Sequence, residues 1–298
     1  MAKRRKSLKR FMIMVASKIL CSRLFSDKAA IKIKYRLLMK KKIDLKEPKT
    51  FNEKLNWIKL YYRKPIMTTM ADKYEVKKYV SDIIGPEYVI PSIAIYDKWD
   101  DIDFNSLKAP FVLKTTHSSG VIKIVKDKEL FDYETTKKKF NKSLKENYFY
   151  SCREWPYKNI KPRIIVEQFI KDSKEDNLPV YKFFCFNGEP YLVQTIKNDK
   201  TSYETIDYFD MDWKLLKIKQ NFENSDVPLD RPINFEEMKA LASKLSKGFP
   251  FVRVDLYSID NKIYFSEFTF FSDAAYQRFY PDEWDLILGE KIVLPNNE

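Results

Sequence analysis

The run FVRVDLYSIDNKIYFSEFTF, residues 251–270, alternates apolar and polar side chains on either side of Asp260-Asn261. That alternation predicts two antiparallel strands, FVRVDLY (251–257) and KIYFSEFTF (262–270). With a period of two, Phe251, Arg253, Asp255 and Tyr257 share one face, and so do Ile263, Phe265, Glu267 and Thr269. A three-residue loop centred on Asn261 sets Asp255 opposite Glu267 and Arg253 opposite Thr269. Two carboxylates side by side among Val, Leu and Phe repel each other and are costly to bury. A divalent cation with oxygen ligands would neutralise them, magnesium taking one or two carboxylates plus phosphates. Two other readings stay open: one carboxylate pairs with Arg253, or the face is solvated.

Upstream of this hairpin lies a second one. Tyr181–Phe186 and Pro190–Ile196 flank Asn187-Gly188, a pair that supplies the positive φ angles of a type I′ turn. Shorter strands are expected at 111–114, 121–125 and 163–170. Helical spacing marks 71–80, 133–147 and 234–247. It also marks 51–62, where Thr50 and Glu53 form a capping box. Hairpins interleaved with helices, without an internal repeat, predict an α+β fold.

Composition narrows the function classes. The chain has 298 residues, 44% hydrophobic and 33% charged, enough to bury a core without disulfides. Its longest apolar run, Phe11 to Ala16, is far short of the roughly 20 residues a membrane span needs. Cys21, Cys152 and Cys185 are scattered and odd in number, which suits a reducing compartment. With one histidine and five glycines, His-rich zinc sites and glycine-rich nucleotide loops are excluded. The net charge of +13 is local: residues 1–64 hold 21 Lys/Arg against 4 Asp/Glu, and the remainder 34 against 38. No nucleic-acid partner is expected from the body of the chain. The cluster KRRKSLKR (3–10), followed by Leu8, Phe11, Met12, Val15 and Ile19 at helical spacing, predicts a basic amphipathic helix. It would either attach residues 1–25 to an anionic membrane surface or pack on the main domain. Lys18 interrupts the apolar stretch, so the segment does not read as a signal peptide.

Other motifs compete for chemistry. Lys114 ends an apolar strand ahead of the hydroxyl-rich turn Thr115-Thr116-His117-Ser118-Ser119-Gly120, which could offer a charge and backbone N–H groups to phosphates. His117 beside two serines lacks a visible orienting group and is not read as a nucleophile's base. Asp210-Met211-Asp212 and Asp101-Ile102-Asp103 are DxD tripeptides. These can hold a metal and a nucleotide sugar, but they are also ordinary turns.

Taken in order, Asp72-Lys73, FVLKTTHSSG (111–120), IIVEQFI (164–170), YKFFCFNGEP (181–190), FVRVDLY and FSEFTF (265–270) resemble the ATP-grasp superfamily, in its TupA-like (teichuronopeptide biosynthesis) branch. The resemblance implies two α+β subdomains clasping ATP. Residues 1–44 would be a basic helical segment, 45–110 a helical region, 111–180 the small subdomain and 181–298 the large one. Lys73 and Lys114 would contact phosphates under a covering loop of Ser118, Ser119 and Gly120. Glu167, Gln168, Phe169 and Ile170 would be the hinge strand that reads adenine. Lys182 would sit near nucleotide or acceptor, Arg253 would hold the transferred phosphate, and Asp255 and Glu267 would bind Mg2+. The implied activity is a carboxylate–amine ligase acting through an acyl phosphate. It would amidate a uronic acid of a capsular or cell-wall glycan, or a sugar-nucleotide carboxylate, with an amino acid or amine, at the cytoplasmic face of a membrane. The sequence departs from the pattern at Thr269, where Asn is usual, in the glycine-poor loop 115–120, and in FFSDAA (270–275). The alternatives are a glycosyltransferase using Asp210 and Asp212, or a non-catalytic membrane-associated relative.

Overall fold

The computed structural model describes residues 24–173, 178–198, 201 and 203–295. The amphipathic helix expected within 8–19, and Cys21, lie outside these residues. The described chain runs α1 (Asp27–Met39), α2 (Phe51–Tyr61), α3 (Ile66–Ala71), α4 (Glu75–Ile84), β1 (Ser92–Tyr96), β2 (Phe111–Thr115) and β3 (Ile122–Val125). It continues through α5 (Tyr133–Leu144), α6 (Phe149–Cys152), β4 (Ile164–Gln168), β5 (Val180–Phe186), β6 (Glu189–Lys197), β7 (Thr205–Asp210), α7 (Phe235–Ser246), β8 (Phe251–Ile259), β9 (Lys262–Thr269) and α8 (Glu283–Lys291). The fold is α+β, with the strands in two antiparallel sheets. Among the described residues no helix is long and apolar enough to cross a membrane.

The smaller sheet has the order β1-β4-β2-β3. Phe111, Leu113, Ile164 and Val166 pack from it against Trp99 and Phe140. The expected helical region over 45–110 therefore ends early, because Ser92–Tyr96 pairs with β4 and belongs to this sheet. The five-residue segment SIAIY carries only a weak local signal, and its partner lies about seventy residues on.

The larger sheet has the order β7-β6-β5-β8-β9. On one face Phe235 of α7 stacks on Phe183 at 5.8 Å. On the other, Phe51 at the start of α2 meets Phe251 edge-on at 4.9 Å and lies 6.2–6.3 Å from Phe184 and Phe186. Burying a phenylalanine side chain is worth about 2–3 kcal/mol, so these contacts fix α2 over one end of the sheet. The Thr50–Glu53 capping box is present.

Both hairpins turn on two residues with positive φ, Asn187-Gly188 (52° and 91°) and Asp260-Asn261 (48° and 63°). The three-residue loop expected at Asn261 is thus replaced by a two-residue one, closed by Ile259 opposite Lys262. A bulge at Ser266 then moves the register by one, which puts Asp255 opposite Glu267 and Arg253 opposite Thr269. The bulge also overturns the expectation that Phe265 and Glu267 share a face. Phe265 pairs with Leu256 and Phe268 with Val254, all four buried, while Glu267 joins the face of Asp255. A second bulge, at Tyr191, brings Lys182 opposite Gln194. Paired residues in adjacent strands point to the same face. Glu267, Asp255, Lys182, Gln194 and Tyr208 therefore form one polar row across all five strands.

Loop 270–277, after β9, is held by a polar stripe on α2. Asn52 and Gln277 exchange 2.8 Å hydrogen bonds, Asn56 donates to the Ala275 carbonyl at 2.9 Å, and the Lys59 ammonium donates to that of Ala274. Asp273, Ala274 and Ala275 all have positive φ (45°, 52°, 60°), a conformation L-residues with a Cβ seldom adopt in succession. FFSDAA thus makes a left-handed turn without glycine, and α2 pins it.

Candidate active site

A cavity of about 300 Å³ separates the two sheets. The smaller sheet contributes Lys114, Ile122 and Glu167, and the loop beyond β2 adds Ser119 and Gly120. Lys73 and Lys77 enter from the start of α4, and Lys182, Asp255, Tyr257, Phe265 and Glu267 from the larger sheet. Asp72 precedes α4 and accepts the N–H groups of Tyr74 and Glu75, so the turn carrying Lys73 is fixed. The Lys73 ammonium donates to the Ser118 carbonyl at 2.5 Å, tying α4 to the loop. Gly120 takes φ 79° with open space where a Cβ would lie, so glycine is needed there for its backbone freedom.

Glu167 is buried and accepts from two ammonium groups, Lys77 and Lys114, each at 2.6 Å. Burial opposes its charge, but the two lysines outweigh it and hold the carboxyl below its ordinary range. Burial also works against Lys114, and Glu167 reverses it, so that ammonium stays above the ordinary lysine value. Burial lowers Lys73 and Lys77. Four lysines, Lys73, Lys77, Lys114 and Lys182, thus line the cavity with Glu167, Asp255 and Glu267, amid Val89, Ile90, Val121 and Ile122. Such a mixture fits a ligand with an apolar planar part and several negative charges, as a nucleoside triphosphate has.

On the opposite wall Arg253 grips Asp255 with two 2.7 Å hydrogen bonds, from Nε and Nη2, and lies 3.7 Å from Glu267. Its Nη2 also donates to the Thr269 hydroxyl at 3.0 Å, so Thr269 supports the guanidinium at the position where Asn is usual. Burial keeps Asp255 above the ordinary carboxylate range despite Arg253. Of the two carboxylates, Asp255 is buried while the Glu267 side chain is 44% exposed. Two hard oxygen donors paired across adjacent strands and facing a lysine-lined cavity fit magnesium. Among the described residues no group of three or more His, Cys, Asp or Glu is placed to hold a metal, so phosphate oxygens would complete the shell.

The structure gathers Lys73, Lys114, Ser119, Gly120, Glu167, Lys182, Asp255 and Glu267 around this one cavity. Arg253 does not line it and touches it through Asp255 and Glu267. Ser118 does not face it, because its hydroxyl is buried against Thr115 (2.6 Å) and Ser143 (3.2 Å). Gln168, Phe169 and Ile170 do not line it either, and the Gln168 N–H already bonds the Pro91 carbonyl. Only the Glu167 side chain brings the expected hinge strand into the site. Sequence reasoning missed Lys77, although it stands four residues after Lys73. It also missed Gln194 and Tyr208, which only the register of the sheet reveals.

The competing motifs are structural. Asp210 Oδ1 accepts the N–H groups of Asp212 and Lys214, and Asp103 Oδ1 that of Asn105; both DxD tripeptides are turns stabilised by an aspartate. His117 is buried, with Nε2 2.9 Å from the Ser143 carbonyl oxygen, and burial lowers its pKa.

Residues 53–293 match the family described as TupA-like ATPgrasp. A search of curated proteins found no match. Among solved structures, a D-alanine–D-alanine ligase from Helicobacter pylori is 16% identical, with 82% of this chain and 69% of that one covered and a TM-score of 0.43. The Bacillus anthracis D-alanine–D-alanine ligase complexed with ATP is 18% identical, covering 67% and 54%, with a TM-score of 0.38. N5-carboxyaminoimidazole synthetase from Staphylococcus aureus is 14% identical, covering 76% and 53%, at 0.39. The chain thus spans little more than half the length of the last two.

Proposed function

Because the chain belongs to the TupA-like ATP-grasp family, we propose that it is an ATP- and magnesium-dependent carboxylate–amine ligase. In this reading it amidates a uronic acid or similar carboxylate during capsular or cell-wall polysaccharide biosynthesis, with an amino acid or amine as the second substrate. The observation that carries the reading is the convergence of four lysines with the Asp255–Glu267 pair on one cavity between two sheets.

A carboxylate resists amines because its oxide is a poor leaving group. Attack of a carboxylate oxygen on the γ-phosphorus of ATP releases ADP and leaves an acyl phosphate. The amine then attacks the carbonyl carbon and expels phosphate. This chain's part is positioning and charge neutralisation. Lys73 and Lys114 hold phosphate oxygens, and Lys182 and Arg253 face the carboxylate and the phosphoryl group in transfer. Asp255 and Glu267 would hold magnesium, which when bound neutralises charge on the phosphates. Closure of the 115–120 loop over the cavity would keep water from the acyl phosphate.

Calorimetric titration of a non-hydrolysable ATP analogue with magnesium tests the reading without knowledge of the acceptor. Micromolar binding by the wild type is expected, with the magnesium dependence weakened in Asp255→Ala and Glu267→Ala. No binding by a well-folded wild type would sink the ligase reading.

The reading extends to a peripheral place on an anionic membrane. The exposed Lys28, Lys32 and Arg36, at four-residue spacing on α1, support it. Unchanged binding to phosphatidylserine vesicles after removal of residues 1–25 would refute a role for that segment.

A further inference from the structure

A separate groove of about 810 Å³ lies between α1, the 42–46 segment and α2, and shares no lining residue with the cavity of the candidate active site. Lys28 and Lys32 stand one turn apart on α1, and Lys42 and Lys46 on the segment that follows it. All four are exposed, and among the described residues none of the four forms an ion pair. Among the lining residues Asp44 is the one carboxylate, and its Oδ1 accepts the N–H groups of Lys46 and Glu47 at 2.8 and 3.1 Å. The α2 wall is aromatic. Trp57 and Tyr61, one turn apart, have ring centroids separated by 5.2 Å. Tyr61 is 45% exposed, and the Lys28 ammonium lies 6.0 Å from its ring centroid.

The groove is built before a ligand arrives. The Glu53 carboxylate accepts the N–H groups of Asp44 (3.1 Å), Lys49 (3.1 Å) and Thr50 (3.2 Å), so the segment carrying Lys42 and Lys46 is tied to the first turn of α2. Beyond the other end of α2, Arg63 pairs with Asp27 at 2.7 Å and fixes the start of α1 beside it. Walls held in place in this way lower the ordering cost of binding. Four ammonium groups against one engaged carboxylate leave the groove positive, and like charges repel until an anion comes between them.

The kind of anion follows from the crowding and the aromatic wall. Lysine acts as a point charge that suits phosphate. An acidic peptide spreads its charges one per side chain along the backbone. A diphosphate concentrates them on two adjacent phosphorus centres, where ammonium groups from α1 and from the 42–46 segment can both meet it. The aromatic wall complements a flat or sugar-bearing body beside that charge, and the volume falls within the range of clefts that hold small molecules. A bilayer surface would use the exposed ammonium groups but not the hollow or the buried Trp57 at its wall.

We infer that this groove is a second ligand site, which binds an organic diphosphate of the nucleoside diphosphate class. Its phosphates lie between the lysines of α1 and those of the 42–46 segment, and its ring system rests against Tyr61. The site does not depend on the ligase reading, because it shares nothing with the cavity on which that reading stands.

The test is calorimetry on the full chain, with the first cavity saturated by the magnesium complex of the non-hydrolysable ATP analogue. The probes are UDP, GDP, pyrophosphate, which lacks the organic body, and uridine, which lacks the phosphates. UDP or GDP should bind one to one, at least about tenfold more tightly than pyrophosphate and uridine, and more weakly as salt is raised. The double variant Lys32→Gln/Lys46→Gln changes only exposed side chains. It should weaken that diphosphate at least about tenfold while the analogue binds as in wild type. Tyr61→Leu should bring the diphosphate down to the affinity of pyrophosphate. No binding of UDP or GDP with the first cavity filled, equal affinity for pyrophosphate, or unchanged affinity in the double variant would overturn the inference. Loss of binding to phosphatidylserine vesicles in the double variant, with no diphosphate bound by the wild type, would overturn it in favour of a membrane surface. A wild type that binds the diphosphate but not the ATP analogue would sink the ligase reading and leave the groove site standing.

Discussion

Arg253 and Asp255, two residues apart on β8, are locked together by two 2.7 Å hydrogen bonds. Both carboxylate oxygens are engaged, so Asp255 can turn an oxygen toward a cation only as the guanidinium gives way. Removing one member of a buried pair leaves the other uncompensated. Arg253→Met is expected to cost about 3 kcal/mol in urea unfolding at pH 7.5. Asp255 is already held above the ordinary range by burial, and without Arg253 it titrates higher still. The variant's deficit should therefore shrink as pH falls and the carboxyl protonates. Arg253→Lys, a point charge that cannot make the forked contact, should keep more stability yet lower ADP release about 100-fold.

The pKa of Glu167 is displaced the other way from that of Asp255. Lys114 and Lys77 hold its pKa below the ordinary glutamate value of 4.5, so its contribution is present above that value and lost as pH falls through the lower folded pKa. Glu167→Gln is expected to destabilise by about 1–3 kcal/mol at pH 7. Below pH 4 the gap to wild type should close progressively. A gap that stays constant from pH 7 to pH 3 would contradict the ion-pair account.

The Ser266 bulge makes a prediction that separates backbone from side chain. Ser266→Ala keeps the extra residue and should bind the magnesium–nucleotide complex as wild type does. Deleting Ser266 removes the register shift and would carry Glu267 away from Asp255. Affinity should then fall at least tenfold (about 1.4 kcal/mol). Calorimetry on both variants reads the difference directly.

Asp210 serves a turn. Asp210→Ala removes an acceptor of two N–H groups and should cost about 1 kcal/mol in unfolding free energy. ADP release should stay within about twofold of wild type. Loss of activity in a stably folded Asp210→Ala would revive the DxD reading.

The left-handed loop is expected to respond in both directions. Ala274 has φ 52°, so Ala274→Gly should stabilise by up to about 1 kcal/mol. Asn56→Ala strips the Ala275 carbonyl of its donor and should destabilise by about 1–3 kcal/mol. Thermal denaturation of the two variants should move Tm in opposite directions.

Much of this architecture is written locally. Asn187-Gly188 and Asp260-Asn261 tolerate positive φ, Thr50 and Glu53 cap α2, and the alternation in FVRVDLY needs no distant partner to be read. These features determined the element types and the hairpins, and the ordered motifs pointed to the family. Lys114 was legible in the same way, as a charge ending an apolar strand, while Lys73 and Lys182 were legible only through the ordered motifs.

The contents of the site were decided elsewhere. Ser266 and Tyr191 are unremarkable residues, and a bulge forms at each because the flanking aromatics find their places against other strands: Phe265 over Leu256 and Phe268 over Val254 in one case, Phe184 against Phe51 in the other. Hydrophobic burial is non-local, so no window of sequence records which register it favours. The same holds for β1, paired across about seventy residues. By itself the sequence determined the strands, the turns and the charges. The tertiary structure decided which of them share a row, because a side chain's neighbours across a sheet are set by packing and not by order along the chain.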